Sequence, residues 1–171
     1  MPIYITAAVI FILLKIWFSA ASVESLNFLL KPTDLIFGLV TGSKSVFIED
    51  YGYFHQRMNI LIDKSCCGFN YWIMCFLIFT FLFTKHLSRL SHKIIALPVS
   101  LFFAWILTIF VNSSRIYISF TAHNQTMHFI PNHQQLIHQI IGIAAYLSFL
   151  LITYLLLEKI LKNRKVYEKF N

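Results

Sequence analysis

The sequence predicts an all-α polytopic membrane protein of four or five transmembrane helices, with a short interfacial helix and a small extracytoplasmic β-like loop. Three observations lead there. Of 171 residues, 58% are hydrophobic and only 12% charged, about half the charged share of an ordinary soluble domain. Fourteen basic and seven acidic side chains cannot supply the polar shell that a water-soluble globule of this length requires. Four apolar stretches, 3–23, 67–84, 94–114 and 136–157, each match the roughly 20 helical residues that cross about 30 Å of hydrocarbon. Finally, Lys85, Arg89 and Lys93 lie in one short segment and Lys159, Lys162, Arg164, Lys165 and Lys169 in the C-terminal tail, whereas Glu24, Asp34, Glu49, Asp50 and Asp63 all lie between 24 and 63.

Eighteen Phe and a mean hydropathy of +0.70 exclude a disordered chain, and five Gly with four Pro leave no room for long linkers. Residues 1–171 therefore read as a single integral membrane domain. The net charge of +7 does not indicate nucleic acid, because its cations flank apolar spans and so act as a topology signal.

The first span carries Lys15, costly near a bilayer centre unless it snorkels or faces protein. Ala20-Ala21-Ser22 has the small residues of a signal-peptide cleavage site, but no Lys or Arg precedes the apolar run, so an uncleaved helix is expected. Residues 26–43 read as a shorter interfacial or re-entrant helix, opened by Lys31-Pro32-Thr33-Asp34 with Pro in the first turn and closed by Gly42. In 46–64 the alternation of Val46, Ile48, Tyr51, Tyr53, Met58, Ile60 and Ile62 with polar residues predicts two short strands around Tyr51-Gly52-Tyr53. Basic segments stay in the cytoplasm, so 85–93 and the tail from 159 belong inside. The loops 44–65 and 116–135 then lie outside, and Cys66, Arg115 and His138, each at the end of a different span, share the outer face.

Each of the three has a bland reading beside a chemical one. Cys66-Cys67-Gly68 sits at the mouth of a helix whose free amides favour a thiolate, or it is a pair of small residues tightening a helix entry; Cys75, mid-span, reads as apolar filler. Arg115, one turn after Asn112, either stabilises an oxyanion or anchors a helix end at the interface. His138 opens the fourth span with Gly142 one turn on, as a proton carrier or as a polar interface residue. The His series 123, 128, 133 and 138 is not a metal ladder, since steps of five diverge around a helix and Pro131 interrupts the segment. No C-x-x-C or Cys/His ligand spacing occurs, and neither a metal nor a cofactor is expected. Placed on one side of the bilayer, a thiol, a guanidinium and an imidazole form the minimal set for cysteine-dependent acyl transfer.

The segments Cys66-Cys67-Gly68, Asn112-Ser113-Ser114-Arg115-Ile116 and His138-x-x-x-Gly142 resemble the three signature blocks of the exosortase/archaeosortase family, over about residues 35 to 160, and the chain's size is similar to that of a compact exosortase such as the K type. The resemblance implies a transpeptidase of the bacterial cytoplasmic membrane with Cys66 as nucleophile and Arg115 and His138 as its partners. It also implies substrates that are exported proteins ending in a short motif, a transmembrane helix and a basic tail, and a lipid or polysaccharide acceptor in the envelope. Cys67 stands where that family usually has Ser or Thr, which leaves it open as an alternative attacker. Rival readings are a non-enzymatic transporter subunit or assembly factor, and a thiol-redox protein using the adjacent cysteines, a geometry that strains a disulfide.

Overall fold

The computed structural model describes the backbone of residues 2–87, 90–126 and 134–170, with the side chains of 123–126, 134–138, 141 and 163–170, and of residues 2, 86 and 90, outside the description. Five helices and one small sheet follow in order: α1 (Pro2–Ala20), α2 (Asn27–Thr41), β1 (Val46–Ile48), β2 (Gly52–His55), β3 (Ile60–Ile62), α3 (Phe69–His86), α4 (Leu90–Thr126) and α5 (Gln134–Phe170). Four of the helices, all but α2, are long and apolar enough to cross a membrane. Their outward surfaces carry large apolar side chains, among them Leu13, Ile16, Phe102, Ile143, Leu147 and Leu151, all exposed, which is compatible with a multi-pass membrane protein.

Two clusters of buried side chains form the core. One gathers the end of α1, Leu26, Leu29, Leu30 and Phe37 at α2, Ile62 of β3, Cys67, Phe69 and Ile73 at the start of α3, and Ile116 of α4. The other runs down between α1, α3 and α4 through Ala7, Tyr71, Cys75, Phe76, Phe79, Ala104 and Val111, with Tyr146, Phe149 and Leu150 of α5 packed against it. At one end of the bundle Lys85 of α3 and Lys162 of α5 both meet Glu158, at 3.8 and 3.2 Å. At the other end lie the sheet and the Cys66 turn.

Several elements differ from the expectation. The chain is mostly helical as expected, and the β-like loop is a sheet of three antiparallel strands, not two, in the order β1-β2-β3, with Val46 opposite Phe54 and Tyr53 opposite Ile62. The first hairpin turns at Glu49-Asp50-Tyr51, where Asp50 (φ 65°) and Gly52 (φ 121°) take left-handed conformations. Gly52 has a further reason to lack a side chain: a Cβ there would stand 2.3 Å from the Ile62 carbonyl oxygen. Met58 falls in a 3-10 turn (Gln56–Met58) instead of a strand, because Asn59 (φ 53°) breaks the alternation before β3. The region expected as loop from residue 116 is helical to Thr126, so Arg115 lies within α4 and not at its end. The helix α5 likewise continues through the basic tail to Phe170.

The start of α2 is also earlier than expected. A 3-10 turn at Glu24–Leu26 leads directly into it, so Pro32 is inside the helix and not in its first turn. A proline there removes the hydrogen bond to the carbonyl four residues earlier. That carbonyl, Phe28, instead accepts the indole N–H of Trp105 on α4 at 2.9 Å, so the missing bond becomes a tertiary one. The far end closes as expected, with Gly42 in the left-handed conformation (φ 64°) donating its N–H to Gly38.

Asp34, expected near the helix start, lies well inside α2 and pairs across to β2. Its Oδ1 is 2.8 Å from Nε2 of His55, whose side chain is 0% exposed, and its Oδ2 accepts from Ser45 Oγ at 2.9 Å. His55 Nδ1 meets Ser43 Oγ at 2.7 Å, and the Phe37 ring packs edge-on against the imidazole. This pair ties the sheet to the helix. Removing one partner of such a buried pair leaves an uncompensated polar or charged group. Asp34→Leu and His55→Leu are each expected to lose about 3–5 kcal/mol, read by denaturant unfolding in micelles, with the double substitution losing less than the two together.

Candidate active site

The turn that carries the cysteines is built by Asp63. This residue is extended and its carboxylate accepts from the backbone N–H of Ser65 (2.9 Å) and of Cys66 (3.1 Å), and from Ser65 Oγ (2.6 Å). A carboxylate that gathers three donors holds one 3-10 turn, Lys64–Cys66, at the end of β3. Gly68 (φ 73°) then reverses the chain into α3, whose first bond runs from Trp72 N to Gly68 O at 3.0 Å. Cys66 is thus set off from the helix by a left-handed glycine, and its own N–H is already taken by Asp63. Cys66 is half-buried while Cys67 and Cys75 are buried, and all three are free thiols.

Asn112 joins this turn to the bundle. It is 0% exposed, and its Nδ2 donates to the Cys66 carbonyl at 2.5 Å. Its Oδ1 accepts from the Tyr146 hydroxyl at 2.7 Å, so both ends of the amide are satisfied with one consistent orientation. The contact is tight enough that a Cβ on Gly68 would stand 3.1 Å from Asn112 Cγ and from Thr108 Cγ2. Conformation and space both demand glycine at that point.

Arg115, three residues further along α4, lays its guanidinium over the Tyr146 ring with Cζ 5.2 Å from the centroid. Gly142 of α5 lies beneath, where a Cβ would meet Arg115 Cδ and Nη1 at 3.5 and 3.6 Å. The other face of the platform is Tyr71, stacked on Tyr146 at 4.6 Å. Nε and Nη2 of Arg115 are buried and have no hydrogen-bond partner among the described residues. A guanidinium with unpaired buried donors is poised for an anion or an oxyanion.

Of the residues singled out in the sequence, Cys66, Gly68, Asn112, Arg115 and Gly142 come together at one end of the bundle, with Cys67 turned into the core. The backbone of His138 lies in α5 one turn before Gly142; its side chain and those of His123, His128 and His133 lie outside the described residues. Two site residues went unnoticed in the sequence. Tyr146 is one turn beyond Gly142 on the same helix, a spacing that shares a face, and Asp63 stands two residues before Ser65 as capping residues do.

A second polar cluster has the contact order of a serine-hydrolase triad, Ser43, His55 and Asp34. Thr41 Oγ1 lies 2.7 Å from the Phe37 carbonyl oxygen and 2.8 Å from Ser43 Oγ. Ser43, His55 and Asp34 are all buried, and the cluster fastens α2 to the sheet.

An apolar groove of about 360 Å³ runs between α2, α4 and α5 on the same side, lined by Phe37, Val40, Phe110, Ser113, Tyr117 and Phe149 among others.

Tyr146→Phe keeps the aromatic platform but strands the Asn112 carbonyl, and is expected to cost about 1–3 kcal/mol in unfolding measured in micelles. Gly68→Ala, strained in backbone and in space, is expected to cost more than Tyr146→Phe in the same measurement. Set against family models, curated proteins and solved structures, the chain matches none of them.

Proposed function

We propose that this chain is a membrane-embedded cysteine transpeptidase of the exosortase type, resident in the bacterial cytoplasmic membrane with its site at the extracytoplasmic surface. One observation carries the reading: Asn112 and Gly68 clamp the Cys66 turn against α4 while Arg115, three residues further along that helix, holds buried donors that have no partner among the described residues. Two segments remote in sequence, 66–68 and 112–115, supply a half-exposed thiol, a rigid support and an anion-seeking fork.

In the proposed reaction the substrate is an exported protein whose C-terminal apolar helix lies along the groove between α2, α4 and α5, ahead of its basic tail. Binding within the membrane plane orients the scissile peptide at the site. His138 takes the Cys66 proton, the thiolate attacks the carbonyl carbon, and the oxyanion that forms accepts from Arg115. As the intermediate collapses, the C–N bond breaks, His138 returns the proton to the leaving amine, and a thioester to Cys66 remains. A nucleophile of a lipid or polysaccharide acceptor then displaces the thiol. The exposure of the two adjacent thiols favours Cys66 over Cys67 as the attacker, since a core-packed sulfur cannot meet a substrate.

The test is processing of a tagged exported protein bearing such a C-terminus in cells carrying each variant. Cys66→Ala, Arg115→Ala and His138→Ala are each expected to reduce cleavage by 10³-fold or more, on the order of what loss of a catalytic group costs, with Cys67→Ser close to wild type. Cleavage that survives Cys66→Ala and fails with Cys67→Ser would move the nucleophile by one residue. Cleavage that survives both would favour a non-enzymatic membrane module.

A further inference from the structure

Lys15 and Lys64 take no part in the site just described, yet both lie at its end of the bundle. Lys15, on the otherwise apolar α1, donates through Nζ to Asn70 Oδ1 in the first turn of α3 at 2.6 Å. Lys64, in the Cys66 turn, reaches back to the end of α1 and donates to the carbonyls of Ala21 (2.7 Å) and Ser19 (3.3 Å). The two ammonium groups converge on one ring. Lys15 Nζ is 6.0 Å and Lys64 Nζ 5.1 Å from the centroid of Phe18. Phe69 stacks flat on that ring at 4.3 Å and so covers one face, leaving the other to the cations.

The convergence is electrostatically unfavourable as it stands. Neither lysine has an ion-pair partner among the described residues, whose carboxylate pairs are those of Asp34 with His55 and of Glu158 with Lys85 and Lys162. Two like charges near a low-dielectric surface repel, and an intervening anion relieves the repulsion. Capping the end of α1 accounts for holding Lys64 but not for bringing Lys15 to the same ring. Each ammonium has three N–H donors; Lys64 spends two of them on Ser19 and Ala21 and Lys15 one on Asn70, so both retain donors for a ligand.

The surroundings say what kind of anion. Below Lys15 on α1 the exposed face is apolar through Ile12 and Leu13, with Ile16 and Trp17 beside it, all exposed. Trp belongs to the interfacial belt of membrane proteins, at headgroup depth, and a lysine stem runs along such a surface with its charge at the polar layer. A charged pair above an apolar stripe matches an amphiphile with an anionic head and acyl tails.

We propose that Lys15 and Lys64 form a binding site for the phosphate of a membrane phospholipid, held by their ammonium groups at the rim of Phe18 with its chains along α1. The proposal rests on the membrane embedding of α1 and α3 but not on catalysis by Cys66. The test is native mass spectrometry of the intact chain released from micelles containing phosphatidylglycerol, or diacylglycerol with the same acyl chains. Retention of phosphatidylglycerol over diacylglycerol is expected for the unsubstituted protein. Lys15→Gln and Lys64→Gln are each expected to reduce that retention about fivefold, and Lys162→Gln at the opposite end is expected to leave it unchanged. Lys15→Gln leaves the cap on α1 intact, so its result stands even if Lys64→Gln perturbs folding. Equal retention in the Lys15→Gln/Lys64→Gln double variant and the unsubstituted protein, or equal retention of diacylglycerol, would overturn the proposal. A parallel arm asks whether inorganic phosphate displaces the bound lipid at millimolar concentration; displacement would overturn the phospholipid as ligand in favour of a soluble phosphate. Cys66→Ala should retain lipid fully, so loss of processing and loss of lipid report on separate sites.

Discussion

The contact between Asn112 and the Cys66 turn is the constraint on which the organised end of the bundle depends. One side-chain amide bridges the backbone of a loop and the hydroxyl of a tyrosine on another helix, with no exposure to solvent. The loop can come that close only because Gly68 lacks a side chain, and it needs Gly68 again for the left-handed turn into α3. In a buried setting each unmade hydrogen bond is costly, so the three groups hold one another in a single arrangement. Three elements distant in sequence thereby acquire a fixed mutual geometry.

Arg115 profits from the same arrangement. Its guanidinium rests on Tyr146, which Asn112 orients and Tyr71 supports from behind. The absence of a side chain on Gly142 gives room for the arginine stem. A cation that finds an aromatic face and whose Nε and Nη2 have no partner among the described residues has been positioned without being neutralised by them. That is the condition under which it interacts most strongly with an incoming negative charge.

The small sheet acts as a bracket for this centre. Asp34 and His55 fasten β2 to α2, Trp105 fastens α2 to α4 through the carbonyl that Pro32 frees, and β3 delivers Asp63, which caps the cysteine turn. A strained or loose β3 would carry its error straight into the position of Cys66.

Much of this was legible in the order of residues. Apolar length alone marked four helices, because crossing a fixed thickness needs a fixed number of residues, and Gly42 marked a helix end by the conformation only glycine adopts readily. Cys66, Asn112, Arg115 and Gly142 could be picked out because unusual chemistry in apolar surroundings is conspicuous. What the sequence could not state was any relation made through space. Pro32 looked like a helix start because its lost hydrogen bond is replaced by a tryptophan far along the chain. Asp34 looked like part of a helix start because His55 faces it only after the strands pair. Tyr146 looked like one aromatic among many until Asn112 and Arg115 closed upon it. Local propensity and hydropathy are properties of neighbours in the chain, whereas these pairings depend on which backbones approach closely, and that is decided only when the helices pack.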